Sequence, residues 1–250
     1  SQWLTGHVAN YWDAPSMWPE KGVIARSDNL IGTMPLYALL RGLGLDVHTA
    51  LQGWFLLLCA LNFAAATYAF RRWGLPLALS GIGAYVFAFG LFNVGQVYHF
   101  QVFPRFCLPL ILLWGFRYLR NRESKDLVLL TAAVVYQFYC GIYLGFFGLY
   151  ALLVMFVAHM AVHRDLTFFK DFRKRAVWLP ALLCTAVGAV LLYILLAPYV
   201  EVGNSIGMRT YGEVKDSIPR PVSYFFAHPS SMWWSPLLYE HSSYTFNEWW

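Results

Sequence analysis

Six side chains in this 250-residue chain pair reactive chemistry with positions just outside long apolar stretches: Asp13, Asp28, His99, Gln101, Arg105 and Arg209. The two carboxylates lie in a long segment punctuated by Trp3, Trp12, Pro15, Trp18, Pro19 and Pro35. Aromatic, proline-rich loops of this length are more often ordered and functional than slack. Ser27-Asp28-Asn29 also reads as the N-cap of an amphipathic helix over Asn29 to Leu43, and a helix N-terminus attracts anions as well. His99 and Gln101 stand two residues apart in a short link, and Arg105 follows Pro104. An arginine beside an apolar segment snorkels, pairs with a carboxylate from elsewhere, or grips an anionic ligand such as a phosphate. Arg209, with Tyr211, Glu213 and Lys215, taken alone is an ordinary solvated face.

The elements that must position these residues are apolar helices. Hydrophobic residues make up 59% of the chain and charged ones only 12%; soluble domains carry about 25% charged residues. The mean hydropathy is +0.49. From Val47 onward no acidic residue occurs until Glu123. A bilayer core of about 30 Å needs roughly 20 apolar residues in a helix. Val47 to Phe70 meets this most clearly, and Arg71 and Arg72 close it. Further spans are expected over Pro76 to Asn93, Pro104 to Leu119, Leu127 to Tyr139, Gly141 to Val162 and Ala176 to Tyr199. The fourth is short, so it either crosses a thinned bilayer or forms half of a buried hairpin with the fifth. The expected fold is an all-α polytopic membrane protein with about six transmembrane helices. An outer segment with an amphipathic helix (1–45) precedes the bundle (46–199), and a second outer segment (200–250) follows it.

Charge sets the orientation. Eleven of the 18 Lys and Arg fall on one side: Arg71, Arg72, Arg117, Arg120, Arg122, Lys125, Arg164, Lys170, Arg173, Lys174 and Arg175. Basic residues mark the cytoplasmic side. Residues 1–45, the 94–103 link and 200–250 are then outside, and both ends of the chain face away from the cytoplasm. The net charge of +5 is therefore a topology signal, and Arg173-Lys174-Arg175 gives no reason to expect nucleic acid. Cys59, Cys107, Cys140 and Cys184 all lie in apolar stretches without CxxC spacing, and read as small buried hydrophobes. No phosphate-binding GxxxxGK or GxGxxG pattern occurs. The chain opens on Ser1 and closes on Trp249-Trp250, and is expected to be a piece of a longer protein.

Several motifs, in order, carry a resemblance. They are Trp12-Asp13-Ala14-Pro15, Trp18-Pro19, Ser27-Asp28-Asn29-Leu30-Ile31-Gly32, Pro35-Leu36-Tyr37, Gly42-Leu43-Gly44-Leu45, His99-Phe100-Gln101, and Pro198-Tyr199 leading to Arg209. With them the chain resembles bacterial polytopic membrane proteins related to the GT-C-fold glycosyltransferases, over nearly its whole length. Members carry one more N-terminal helix and an early acidic motif, which this sequence does not include. Asp28 stands where the family has Ser-Glu-His or Ser-Asp-His; Asn29 in the third place is a departure.

The resemblance implies an inner-membrane location and a sugar transfer from a polyprenyl-phosphate-linked donor at the outer face. Such chemistry requires a carboxylate to deprotonate or orient the acceptor, here Asp28, with Asp13 the other candidate. It requires cationic or metal stabilisation of the departing phosphate. Arg105, Arg209, His99 and Gln101 are the candidate donor-phosphate contacts. Asp28 and His99 are the candidate ligands for Mg²⁺ or Mn²⁺. The expected partners are the bilayer and the lipid-linked donor. Two other readings stand beside this one: a non-catalytic assembly factor, and a transporter. The polar residues Asn62, Ser80, Thr131, Gln137 and Thr185 of the spans are not ionisable, which counts against transport.

Overall fold

The computed structural model describes residues 10–14, 17, 19–90, 99–163, 175–207 and 210–212. Those residues contain helices and turns and no strand. The chain divides into two compact units, Ser1–Val202 and Gly203–Trp250. The first holds nearly every described residue. Its helices are α1 (Met34–Gly42), α2 (Val47–Arg72), α3 (Leu77–Phe89), α4 (Cys107–Asn121), α5 (Ser124–Cys140), α6 (Ile142–His163) and α7 (Arg175–Ile206), the last running on into the second unit. Short 3₁₀ turns occupy Val23–Arg26 and Phe100–Val102.

Each of the six expected stretches contains one helix, α2 to α7. Four stretches are long and apolar enough to cross a membrane: Val47–Arg72, Phe100–Asn121, Ile142–Val162 and Val177–Ile206. The other two are shorter, α3 with 13 residues and α5 with 17. At 1.5 Å per residue α3 is about 20 Å long, against a hydrocarbon core of about 30 Å.

Local chemistry explains the helix ends. Asp46 caps α2: its carboxylate accepts from the N–H of His48 at 2.9 Å and of Thr49 at 3.1 Å. Arg71 and Arg72 close the same helix, where cations suit the negative end of the dipole. Arg71 donates to the Leu75 carbonyl at 2.8 Å, and Gly74 turns the chain at φ 93° before Pro76 starts α3. Arg122 ends α4 in the left-handed region at φ 59° and folds its guanidinium onto the Tyr118 and Leu119 carbonyls. Between α4 and α5, Arg117 Nε lies 3.0 Å from Asp126 Oδ1, with Asp126 only 1% exposed.

The packing is tightest around α2 and α4. α2 packs on α1, α3 and α4, while α4 packs on α5 and α6. Trp54, Leu58 and Phe103 form one buried cluster, and Leu30, Leu36, Tyr37 and Leu40 cover it. The expected amphipathic helix is therefore shorter than Asn29 to Leu43. It begins at Met34 and lies along the first half of α2. A Cβ on Gly53 would meet Leu40 at 3.1 Å, so that glycine admits the close approach. Cys107, Ile111 and Ala133 form a second cluster beneath Leu130 and Leu152. The cysteines are free thiols, three buried and Cys184 half-buried.

Candidate functional site

The strap Asp28–Gly32 runs across the break between α5 and α6. Only Gly141 separates those two helices, so α5 ends with unpaired carbonyls next to the unpaired amides that start α6. The strap meets both. Asn29, fully buried, donates from Nδ2 to the Phe138 carbonyl at 3.1 Å. The Gly32 N–H donates to the Tyr139 carbonyl at 2.7 Å. Tyr136 returns a bond from its hydroxyl to the Gly32 carbonyl at 2.8 Å. Asp28 supplies the opposite polarity: Oδ1 accepts from the N–H of Ile142 at 2.5 Å and, at longer range, of Tyr143 at 3.4 Å. A Cβ at position 32 would meet Cys140 Sγ at 2.7 Å, which is why glycine occupies this crossing.

Asp28 thus caps a helix, though not the one its sequence pattern suggests. It serves α6 rather than α1. Its other oxygen, Oδ2, is buried and has no hydrogen-bond partner among the described residues. Burial raises the carboxyl above its ordinary value of 3.8, and the two N–H groups offset this in part. A Cβ at Gly141 would stand 4.0 Å from Asp28 Oδ2 and 3.1 Å from the Gln101 carbonyl oxygen. The strap and the 99–101 link therefore meet around Gly141. Tyr199 of α7 interacts with both Asp28 and Asn29, and its ring stands edge-on to Trp12 at 5.6 Å. Beside this group is a cavity of about 240 Å³ between Tyr11, Thr33, Met34, Tyr37, Trp54 and Phe100. Burial pushes the Tyr11 hydroxyl up to about 12.

The other expected site residues are placed as follows. His99 Nδ1 lies 3.5 Å from Gln101 Nε2, at the long limit of a hydrogen bond. Asp13 accepts from the Gly22 N–H at 2.7 Å and so closes the first loop. Arg209 lies outside the described residues.

Arg105 reaches α3. It is buried, donates to the Phe87 carbonyl near the end of α3, and has its guanidinium 5.0 Å above the Phe87 ring. Its backbone N–H bonds Asn62 Oδ1 at 3.3 Å. Asn62 also donates to the Phe103 carbonyl at 2.8 Å, and Gln137 to the Pro104 carbonyl at 2.8 Å. Both side chains are fully buried. Asn62 stands about 22 Å along α2 from Val47 and about 15 Å from Arg72. The irregular backbone at 103–105 is therefore deep in the bundle, where every polar group must find a protein partner. Sequence placed Arg105 at the outer edge; its bonding partners set it at mid-helix depth. The guanidinium meets a carbonyl near the C-terminal end of the short α3.

As to Mg²⁺ or Mn²⁺, Asp28 offers one oxygen. No group of three His, Cys, Asp or Glu converges among the described residues. No family model matches the chain, and searches of curated proteins and of solved structures likewise find no match.

Proposed function

We propose that the chain is the membrane part of a glycosyltransferase, moving a sugar from a polyprenyl-phosphate-linked donor to an acceptor hydroxyl at the outer face. One observation carries this reading: the divided Asp28 carboxylate. Oδ1 is fixed by the start of α6, Oδ2 is buried and unpartnered among the described residues, and an aromatic cavity is lined by Leu30 of the same strap. A fixed carboxylate with a raised pKa is suited to general-base work. Oδ2 takes the acceptor's hydroxyl proton as that oxygen bonds the anomeric carbon. The bond from that carbon to the phosphate oxygen breaks, and the lipid phosphate leaves with the electron pair. The Gln101 and His99 side chains, on the link beside Gly141, are the nearest expected contacts for the leaving group.

In this reading all six helices α2 to α7 cross the inner membrane, the two short ones with help from neighbouring backbone. Both ends face outward, as the distribution of Lys and Arg requires. The test is transfer from a polyprenyl-phosphate sugar by Asp28→Asn and Asp28→Glu. Asparagine still accepts the α6 amides but takes no proton. A fall of about 10²-fold or more at unchanged stability supports general-base catalysis.

A second reading, a non-catalytic assembly factor, is favoured by the capping role itself, which accounts for one Asp28 oxygen without any reaction. It predicts that Asp28→Asn retains full function in a cell-envelope complementation assay.

A further inference from the structure

We propose that the groove between α5 and α7 is a binding site for one acyl chain of a bilayer phospholipid. The groove is open along the helix surface and holds about 590 Å³, with Val128, Thr131 and Val135 on one wall and Leu183, Val187 and Leu191 on the other. α7 closes on α5 at Gly188, where a Cβ would meet Thr131 Cγ2 at 3.2 Å and Val135 Cγ2 at 3.7 Å. A second tie is the Tyr139 hydroxyl, which donates to the Leu191 carbonyl at 3.0 Å. Around these ties the helices part.

Three features identify the occupant. The walls are apolar, and the hydroxyls of Tyr136 and Tyr139 at the outer end are already donors to Gly32 and Leu191. The groove therefore offers a headgroup nothing and a hydrocarbon everything. Its walls continue without interruption onto the exposed apolar side chains Val128, Val187 and Val190. That is the surface which a membrane-length helix turns to lipid. Its length also fits: Val128 to Tyr139 spans about 16 Å, half of a hydrocarbon core of about 30 Å, the depth of one leaflet. A helix, about 10 Å across with its side chains, is too thick for it. The inference is independent of any transfer reaction.

The test uses the full chain in phosphatidylglycerol vesicles containing phosphatidylglycerol with a photoreactive diazirine on one acyl chain, with labelled residues mapped by mass spectrometry. Labelling at Thr131, Val135 and Val187 should exceed that at the exposed α6 residues Tyr150 and Val154 several-fold. Gly188→Leu and Val135→Phe fill the groove from opposite walls. Each should abolish the groove labelling and leave α6 labelling unchanged. Even labelling of α5, α6 and α7 overturns the proposal. So does groove labelling by a photoreactive polyprenyl phosphate that excess phosphatidylglycerol does not compete away, or protection of the groove together with a crosslink between two copies. The parent chain's pattern decides the matter whether or not either variant folds.

Discussion

Asp28 Oδ1 accepts the backbone N–H of Ile142, a residue 114 positions later in the chain. A carboxylate at a helix N-terminus contributes through both the hydrogen bond and the dipole. Asp28→Ala should lower stability by about 1–2 kcal/mol, and Asp28→Asn by well under half of that. Thermal unfolding in detergent measures both. Equal loss in the two variants would show that charge, rather than hydrogen bonding, is what α6 requires.

The same carboxyl makes stability depend on pH in an unusual direction. Its folded pKa is raised above the ordinary 3.8 by burial. The native state therefore holds the proton more tightly than the unfolded chain does. This contribution is complete below 3.8 and is lost as pH rises through the raised value. Between those two points the parent should lose stability with rising pH, and Asp28→Asn should lack that component. A parent whose stability rises by the same amount as the variant's across the window contradicts the assignment.

Asn62 serves two backbone groups at once, the Phe103 carbonyl and the Arg105 N–H. Asn62→Leu removes one partner from each, while the Arg105 N–H still donates to the Phe103 carbonyl at 2.8 Å, so the loss should lie at the low end of the about 1–3 kcal/mol that a buried unpaired group costs. Gln137→Leu exposes one carbonyl, that of Pro104, to the same cost. The two act on adjacent peptide units, so a double-mutant cycle should show a coupling above about 0.5 kcal/mol. Strict additivity would mean that the 103–105 backbone is held by something else.

Arg105 ties the end of α3 through a charged hydrogen bond and a ring contact. Arg105→Gln should cost about 1.5–3 kcal/mol with no lipid-linked donor present. Arg105→Lys should cost less, since it keeps the charge but not the planar stack. If both variants unfold like the parent and lose only donor binding, the residue is a phosphate ligand and not a helix tie.

Orientation is checked by cysteine labelling in sealed vesicles. Lys125→Cys, in the exposed first turn of α5, should react only from the cytoplasmic side, and Lys21→Cys only from the other. Reaction of both from one side would remove the six-span arrangement.

Periodicity and composition made the helices legible. Val47, Arg71 and Arg72 bracket α2 in the sequence as they do in the structure. The short fourth stretch is a 17-residue helix that packs on the fifth, with only Gly141 between them. What sequence could not give is depth. Arg105 follows a proline at the start of an apolar run, which reads as an edge. Its level is instead fixed by Asn62, 43 residues earlier, and by the Phe87 carbonyl. Asn62 and Gln137 were legible as rare polar residues in spans, but their partners are backbone atoms, which carry no sequence signal. The Asp28 cap failed in a similar way. The pattern Ser27-Asp28-Asn29 correctly announced capping, yet the amides it serves are brought in by the α5–α6 break.

The strap has a consequence for biosynthesis. Asp28, Asn29 and Gly32 bond to Phe138, Tyr139 and Ile142, all of which leave the ribosome more than 100 residues later. At about 5–20 residues per second the strap waits roughly 6–20 s for its partners. In that interval the strap has no α5–α6 break to dock on. A nascent chain stalled before Tyr143 should therefore leave residues 28–32 open to protease, and one stalled well past α6 should protect them.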